Sequence, residues 1–425
     1  MTALLRIAWH SLRNRGFTAI LTVLTVALSV VLLLGIERLR EQTRDSFVRS
    51  VSGTDLIVGA RAHPVQLLLY AVFRMGDATN NMRWETYQKI TQHPAVAWSV
   101  PISLGDSHRG FRVVGTTPAY FRHVGFSDGR RLNFTHGRAF SGRTDAKGLF
   151  EAVIGADVAD SLGYTVGSRI VLAHGTAQVN IYKHEDRPFA VVGVLQRTGT
   201  PADQGVYVSL EAIEAIHLNW RGGTRIARGA PDAALTAEAL RPRSITAAYI
   251  GLRSKVAVFS LQRAINTYDG EPLSAILPGV ALQMLWSMLG TVERAMLIAA
   301  GCVVAAGLMV ILTTILATLN ERRREMAILR AVGAGPRHVF GLLLLEAAAL
   351  AAAGAVLGLV LTHAGMWLLS PWLQSRYGLY LPITMPGIQE LRWLLTIIAA
   401  GVLVGMLPAF LAYRRSLQDG MTVSR

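Results

Sequence analysis

Four long apolar runs divide the chain, and the polar stretches between them set its organisation. Phe17 to Ile36 carries no charged residue. An uncharged helix of about 20 residues covers the roughly 30 Å hydrocarbon core of a bilayer. Ala295 to Leu319 is a second run, Val339 to Leu361 a third interrupted by Glu346, and Trp393 to Tyr413 a fourth bracketed by Arg392 and Arg414. These runs predict transmembrane helices at 17–36, 291–319, 339–363 and 393–413. The first run is longer than the apolar core of a signal peptide and ends in Gly35-Ile36-Glu37-Arg38-Leu39-Arg40 without a small-residue cleavage pattern. It reads as a retained signal anchor.

Residues 1–16 place Leu4, Leu5, Ala8, Trp9 and Leu12 on one helical face, with Arg6, His10 and Arg13 elsewhere around it. That pattern predicts an amphipathic helix in the membrane interface, with Trp9 at headgroup level. The segment 37–290 has a different periodicity. Glu37 to Ser50 continues the first span as a helical stalk, and after it the spacing of apolar residues shortens. Thr54 to Gly59, Phe111 to Gly115, Arg169 to Ala173 and Phe189 to Leu195 read as short strands. Trp84 to Thr91, Ala156 to Leu162 and Leu210 to His217 read as helices between them. The expected fold is therefore a membrane protein of four transmembrane α-helices, with a large α+β domain inserted between the first and second spans. Glu211 to Lys255 is too rich in Arg and Ala to assign, and Tyr268 to Leu289 returns to the membrane through Pro272 and Pro278. For Ala281 to Leu289, packing into a core is favoured over a contact face.

Composition agrees with the pattern. The chain is 52% hydrophobic and 16% charged, well below the roughly 25% charged share of a soluble domain. Its net charge of +15 comes with no basic run interleaved with aromatics, so nucleic acid is not an expected partner. Arginine placement instead sets orientation. Arg6, Arg13 and Arg15 precede the first span. Arg322, Arg323, Arg324, Arg330 and Arg337 crowd the loop 320–338, and Arg414, Arg415 and Arg425 follow the fourth span. The loop 364–392 carries only Arg376 and, at its edge, Arg392. Both termini, the loop 320–338 and the tail 414–425 are thus expected in the cytoplasm, with 37–290 and 364–392 outside. The single cysteine, Cys302, allows no internal disulfide and reads as a small buried apolar residue.

No catalytic constellation emerges. A P-loop needs Lys after Gly, and none of Lys89, Lys147, Lys183 and Lys255 follows a glycine. ATP and magnesium, if used, belong to another chain. There is no H-E-x-x-H. His63, His93, His108, His123, His136, His174, His184 and His217 are spread singly through the outer segment without short ligand spacing, so no metal ligands are assigned. The triplet His184-Glu185-Asp186 reads as a loop or strand end.

The loop after the second span is the most informative stretch. Glu321-Arg-Arg-Arg-Glu325-Met-Ala-Ile-Leu-Arg330-Ala-Val-Gly333-Ala sets Met326, Ile328, Leu329 and Val332 as apolar residues beside arginines on a short exposed loop. It resembles the R-x-x-E-[IM]-A-[IL]-[LM]-[RK]-A-[LVI]-G-A signature of the MacB/FtsX/LolC permeases, the type VII ABC transporters. Glu346 after four leucines, Ile7 to Arg13, Phe189 to Leu195 and Leu407-Pro408-Ala409 with Arg414-Arg415 resemble further segments of that family. Asp419-Gly420 stands where the family has Asp-Pro.

The resemblance implies a MacB-like periplasmic core domain outside a bacterial inner membrane. It implies pairing with a cytoplasmic ABC ATPase and with a second permease copy, identical or related. A periplasmic adaptor or substrate-binding protein is a further possible partner. It implies ATPase coupling through Arg323, Glu325, Met326, Ile328, Leu329, Ala331, Val332 and Gly333, and no cofactor in this chain. Glu346 is the intramembrane polar residue, expected to face protein or water. The implied function is export or extraction of a lipid, lipoprotein, peptide or small molecule, driven by movement of the outer domain. The alternative is FtsX-like signalling that activates a periplasmic enzyme.

Overall fold

The computed structural model describes residues 15–50, 52–126, 130–142, 148–175, 182–184, 187–218, 220–221, 224–225, 235–321, 333–377 and 385–418. They divide into two compact units. One holds residues up to 42, 290–373 and 381 onward; the other holds 43–289 and 374–380.

The first unit is a bundle of four helices, Gly16–Ser50, Pro278–Glu321, Pro336–Tyr377 and Ile388–Gln418, each long and apolar enough to cross a membrane. The first two continue far into residues of the second unit, and the third reaches it only at 374–377. All four exceed the apolar runs that identify them, because polar residues extend a helix freely once it leaves the hydrocarbon. Leu28, Ile298, Leu395 and Leu403 are exposed on the bundle surface, as lipid-facing residues should be. Cys302 is also exposed there rather than buried. An apolar residue in a span has no water to avoid, so hydrophobicity alone does not bury it.

Close packing between spans relies on small residues. A Cβ added at Gly354 would stand 2.6 Å from Val26 Cβ, and one at Gly358 would stand 2.6 Å from Val30 Cβ. Two glycines four apart on the third span thus receive two valines four apart on the first. Gly401 and Gly405 on the fourth span abut Ala351 and Ala347 on the third in the same way. Gly307 on the second span meets Ser29, whose hydroxyl donates to the Val303 carbonyl at 3.1 Å. Small residues at this spacing let helix backbones approach and gain dispersion contacts.

The second unit is built on a large mixed sheet. Along its main path the strands run Leu273–Ile276, Leu56–Ala60, Ala247–Leu252, Val96–His108, Phe111–Thr116, Gly205–Ser209, Glu151–Ile154, Phe189–Leu195 and Phe134–Gly137. Leu56–Ala60 is antiparallel to both neighbours, and Gly205–Ser209 is parallel to Phe111–Thr116. Val96–His108 and Phe111–Thr116 form a hairpin whose two turn residues, Arg109 and Gly110, both have positive φ. Such a turn matches the natural strand twist. Gly193 and Gly137 lie opposite each other, and a Cβ at Gly137 would run into the Val192 carbonyl oxygen.

Local chemistry explains the helices on the sheet. Leu210–His217 starts at Ser209, whose Oγ accepts from Ala212 N–H at 3.1 Å, an N-cap. Ala156–Leu162 stops at Gly163, which is left-handed at φ +66°. The segment Arg169 to Ala173, read as one strand, is two short ones, Arg169–Ile170 on Phe189–Leu195 and Ala173–His174 on Val96–His108. Ala281, Leu282 and Leu285 enter the core of this unit although they belong to the helix Pro278–Glu321.

Candidate functional site

Among the described residues, a buried polar cluster lies in the bundle. The Arg38 guanidinium donates through Nε to Glu390 Oε1 and through Nη2 to Glu390 Oε2 at 3.1 Å. The two side chains are each 7% exposed. His363 fixes the third corner. Its Nδ1–H donates to the Leu359 carbonyl at 3.0 Å, which leaves Nε2 to accept from Arg38 Nη2 at 3.0 Å. The cluster joins the first, third and fourth helices. On the second helix, Glu293 accepts from Arg40 Nε at 2.9 Å. Removing one partner of such a buried pair leaves an uncompensated charge. Sequence reading placed Arg38 in the stalk and Glu390 in the outer loop. The missed signal is that two opposite charges flank apolar runs at their outer ends.

Of the residues expected to couple to an ATPase, Arg323, Glu325, Met326, Ile328, Leu329, Ala331 and Val332 lie outside the described residues. Gly333 is described and takes φ +98° just before the helix that begins at Pro336. Glu346 is 3% exposed, within the third span beside the core residue Ala347.

A second cluster forms in the outer unit from residues far apart in the chain. Asp106 sits near the end of the strand Val96–His108, where the pairing with Phe111–Thr116 shifts register between Leu104 and Ser107. Such an extra residue re-aims the side chains that follow it, and Asp106, Ser107 and His108 are all buried. His174 pairs directly across from Asp106 on the neighbouring strand. His184 is held by its N–H bonded to the Leu172 carbonyl at 2.9 Å. His217 closes the helix Leu210–His217, and Arg187 Nη1 donates to the Ala215 carbonyl of that last turn at 3.1 Å.

The geometry is tight. His174 Nδ1 lies 3.2 Å and His217 Nε2 lies 3.4 Å from Asp106 Oδ1. The two nitrogens are 3.3 Å apart. One donor atom each from Asp106, His184 and His217 also lies within 4.8 Å of the others. Burial alone would raise the Asp106 carboxyl. Hydrogen bonds from His174 and His217, and the charge of those rings, outweigh it and hold the pKa at about 2. Burial acts to lower the His217 pKa, but the hydrogen bond to Asp106 and its charge raise it overall. His108, two residues on from Asp106, spends both nitrogens elsewhere, on the Val171 carbonyl at 2.7 Å and Tyr164 Oη at 3.1 Å. Glu185 and Asp186 of the polar triplet lie outside the described residues. No short spacing could have revealed this cluster, because its four members come from separate elements.

Residues 19–268 match the MacB-like periplasmic core domain family, and residues 297–420 match the FtsX-like permease C-terminal family. No curated protein is matched. Among solved structures, the periplasmic region of MacB from Actinobacillus actinomycetemcomitans is 12% identical, with a TM-score of 0.35 over 56% of this chain and 95% of that one. The extracellular domain of the noncanonic ABC-type transporter YknZ from Gram-positive bacteria is 14% identical, with a TM-score of 0.30 over 52% of this chain and 99% of that one.

Proposed function

This chain belongs to the MacB/FtsX-like family of ABC transporter permeases, and from that premise we propose that it couples ATP hydrolysis on a separate subunit to movement of its outer unit. Members of the family are membrane proteins that function with a cytoplasmic ATPase, and their core domain is periplasmic. The work done is export or extraction of a lipid, lipoprotein, peptide or small molecule at the periplasmic side. Two permease copies pair with two ATPase subunits, which bind the ATP and magnesium. Both termini and the loop 320–338 face the cytoplasm.

The observation that carries this reading is the length of two helices. Gly16–Ser50 has 35 residues and Pro278–Glu321 has 44, against about 20 needed to cross a bilayer. Each passes from residues of one unit to residues of the other, at 42/43 and 289/290. A continuous helix transmits displacement where a loop would absorb it. On the cytoplasmic side, Met326, Ile328, Leu329 and Val332 supply an apolar face for a groove on the ATPase. Arg323, Glu325, Ala331 and Gly333 complete that segment. An open groove of about 870 Å³ in the outer unit, lined in part by His136, Tyr164, Val166 and Arg197, offers space for a substrate.

Co-expression with a candidate ABC ATPase, purification through a tag on the permease, and ATP hydrolysis in lipid test the reading. A stoichiometric complex whose hydrolysis responds to candidate substrates is expected. The double variant Met326→Asp, Leu329→Asp should lose ATPase stimulation while keeping the wild-type melting temperature. A permease that purifies without an ATPase, or a double variant with normal stimulation, would remove the coupling assignment.

A further inference from the structure

We propose that Asp106, His174, His184 and His217 form a binding site for a divalent transition-metal ion, with zinc the ion that fits the donor set best. The site lies wholly within the outer unit, and its occupancy needs neither the ATPase nor the transport reading.

The first argument is metric. Zinc binds imidazole nitrogen and carboxylate oxygen at about 2.0–2.2 Å, so the donor atoms of a tetrahedral site stand about 3.3–3.6 Å apart. The triangle formed by Asp106 Oδ1, His174 Nδ1 and His217 Nε2 has edges of 3.2, 3.3 and 3.4 Å. Three of the four corners of a zinc tetrahedron therefore already have their spacing. His184 supplies the fourth donor, with a ring nitrogen within 4.8 Å of the Asp106 and His217 donors. Its ring stands nearly perpendicular to that of His217, centroids 5.3 Å apart.

The second argument is the tautomer. His217 Nδ1 sits 2.9 Å from the Ile213 carbonyl oxygen, which can only accept. Nδ1 therefore carries a proton, and a neutral His217 directs the Nε2 lone pair into the cluster. A metal-bound histidine is oriented in this way, with its other nitrogen donating to a carbonyl or carboxylate.

The third argument is environment. Asp106 and His184 are each 2% exposed, so the donors are rigidly framed. The His174 side chain is 46% exposed and leaves a path for the ion to enter. The donor set also selects the metal. Calcium and magnesium take oxygen ligands, whereas three imidazoles and one carboxylate suit zinc and its first-row neighbours. Bound there, the ion would tie the last turn of Leu210–His217 to the strands Val96–His108 and Ala173–His174 and to the segment at His184.

The test uses the full-length permease, purified in detergent through a tag free of histidine and stripped with a chelator. Zn²⁺ is titrated in competition with a chromophoric chelator. One Zn²⁺ per chain is expected, with a melting temperature that rises on binding. Affinity should fall at least ~10-fold in Asp106→Asn and His217→Ala and stay unchanged in His93→Ala and His136→Ala. Co²⁺ in place of Zn²⁺ should give the intense visible absorption of a four-coordinate ion, lost in His184→Ala. Should Asp106→Asn fail to fold, His174→Gln at the exposed edge and the wild-type Co²⁺ spectrum still decide. A six-coordinate Co²⁺ spectrum, less than one Zn²⁺ per chain, or equal affinity in cluster and control variants would overturn the site.

Discussion

The bundle and the outer unit bury their interiors with different residues. The outer core is rich in aromatics, with Tyr70, Phe73, Tyr120, Phe121, Phe140, Tyr207 and Tyr249 packed among leucines and isoleucines. Among the described residues, the buried core of the bundle has none and relies on Ala, Val, Leu and Ile, with glycines at the closest crossings. The solvent accounts for the difference. In water, large apolar side chains gain by leaving it, at roughly 25 cal/mol per Å². In lipid that gain disappears, because acyl chains are as apolar as leucine, and close backbone approach takes its place.

Two arginines, one in each unit, are satisfied differently. In the bundle, Arg38 meets a carboxylate and a histidine. In the outer unit, Arg74 donates to the Pro201 carbonyl at 2.6 Å, to Tyr207 Oη at 2.7 Å and to Tyr120 Oη at 3.2 Å. Its partners among the described residues are neutral dipoles. A cation in hydrocarbon calls for a full counter-charge, whereas one in a core near water is satisfied by oriented oxygens.

The largest effect should come from breaking the bundle pair. Arg38→Ala is expected to destabilise the permease by about 3–5 kcal/mol, since Glu390 is left buried and charged. Melting of the purified protein in detergent measures it. The double variant Arg38→Met, Glu390→Leu should recover most of the loss, and a double variant as unstable as the single one would refute the pairing argument. Next, Gly405→Leu overfills the contact with Ala347 and should cost about 1–3 kcal/mol on the same melting scale. A neutral result there would mean that the third and fourth helices are not in close contact.

In the outer unit, Tyr207→Phe removes a hydroxyl that accepts from Arg74 and donates to the Ala202 carbonyl at 3.0 Å. The expected loss is about 1–3 kcal/mol, the usual cost of orphaning buried polar groups. Asp160→Ala should do least. Its pair with Arg197, 2.5 Å apart, has the Asp160 side chain 73% exposed, and such surface pairs contribute about 0–1 kcal/mol. Urea titration separates the two, and an Asp160 effect as large as that of Tyr207 would contradict the burial ranking.

Much of this architecture was legible in the sequence. A membrane span is a local property, set by about 20 consecutive residues, so the four apolar runs mark the four helices. The helices Trp84–Thr91, Ala156–Leu162 and Leu210–His217 and the strand Phe189–Leu195 occur at the residues where local periodicity placed them. The same local patterns missed the strand Ala247–Leu252, which lies in the stretch left unassigned. They also missed the strand Val96–His108, whose alternation breaks at the bulge beyond Leu104.

The sites were less legible. Arg38 and Glu390 were visible only as charges at helix ends. Asp106, His174, His184 and His217 gave no signal at all. Hydrophobic period, helix caps and span length act between residues a few positions apart, and the sequence by itself determined those. Which charge meets which, and which histidines converge, depend on sheet order and helix crossing, where contacts are made across hundreds of residues. Only the tertiary structure decided them, because a buried charge or an imidazole lone pair is directed by the elements packed around it, not by its neighbours in the chain.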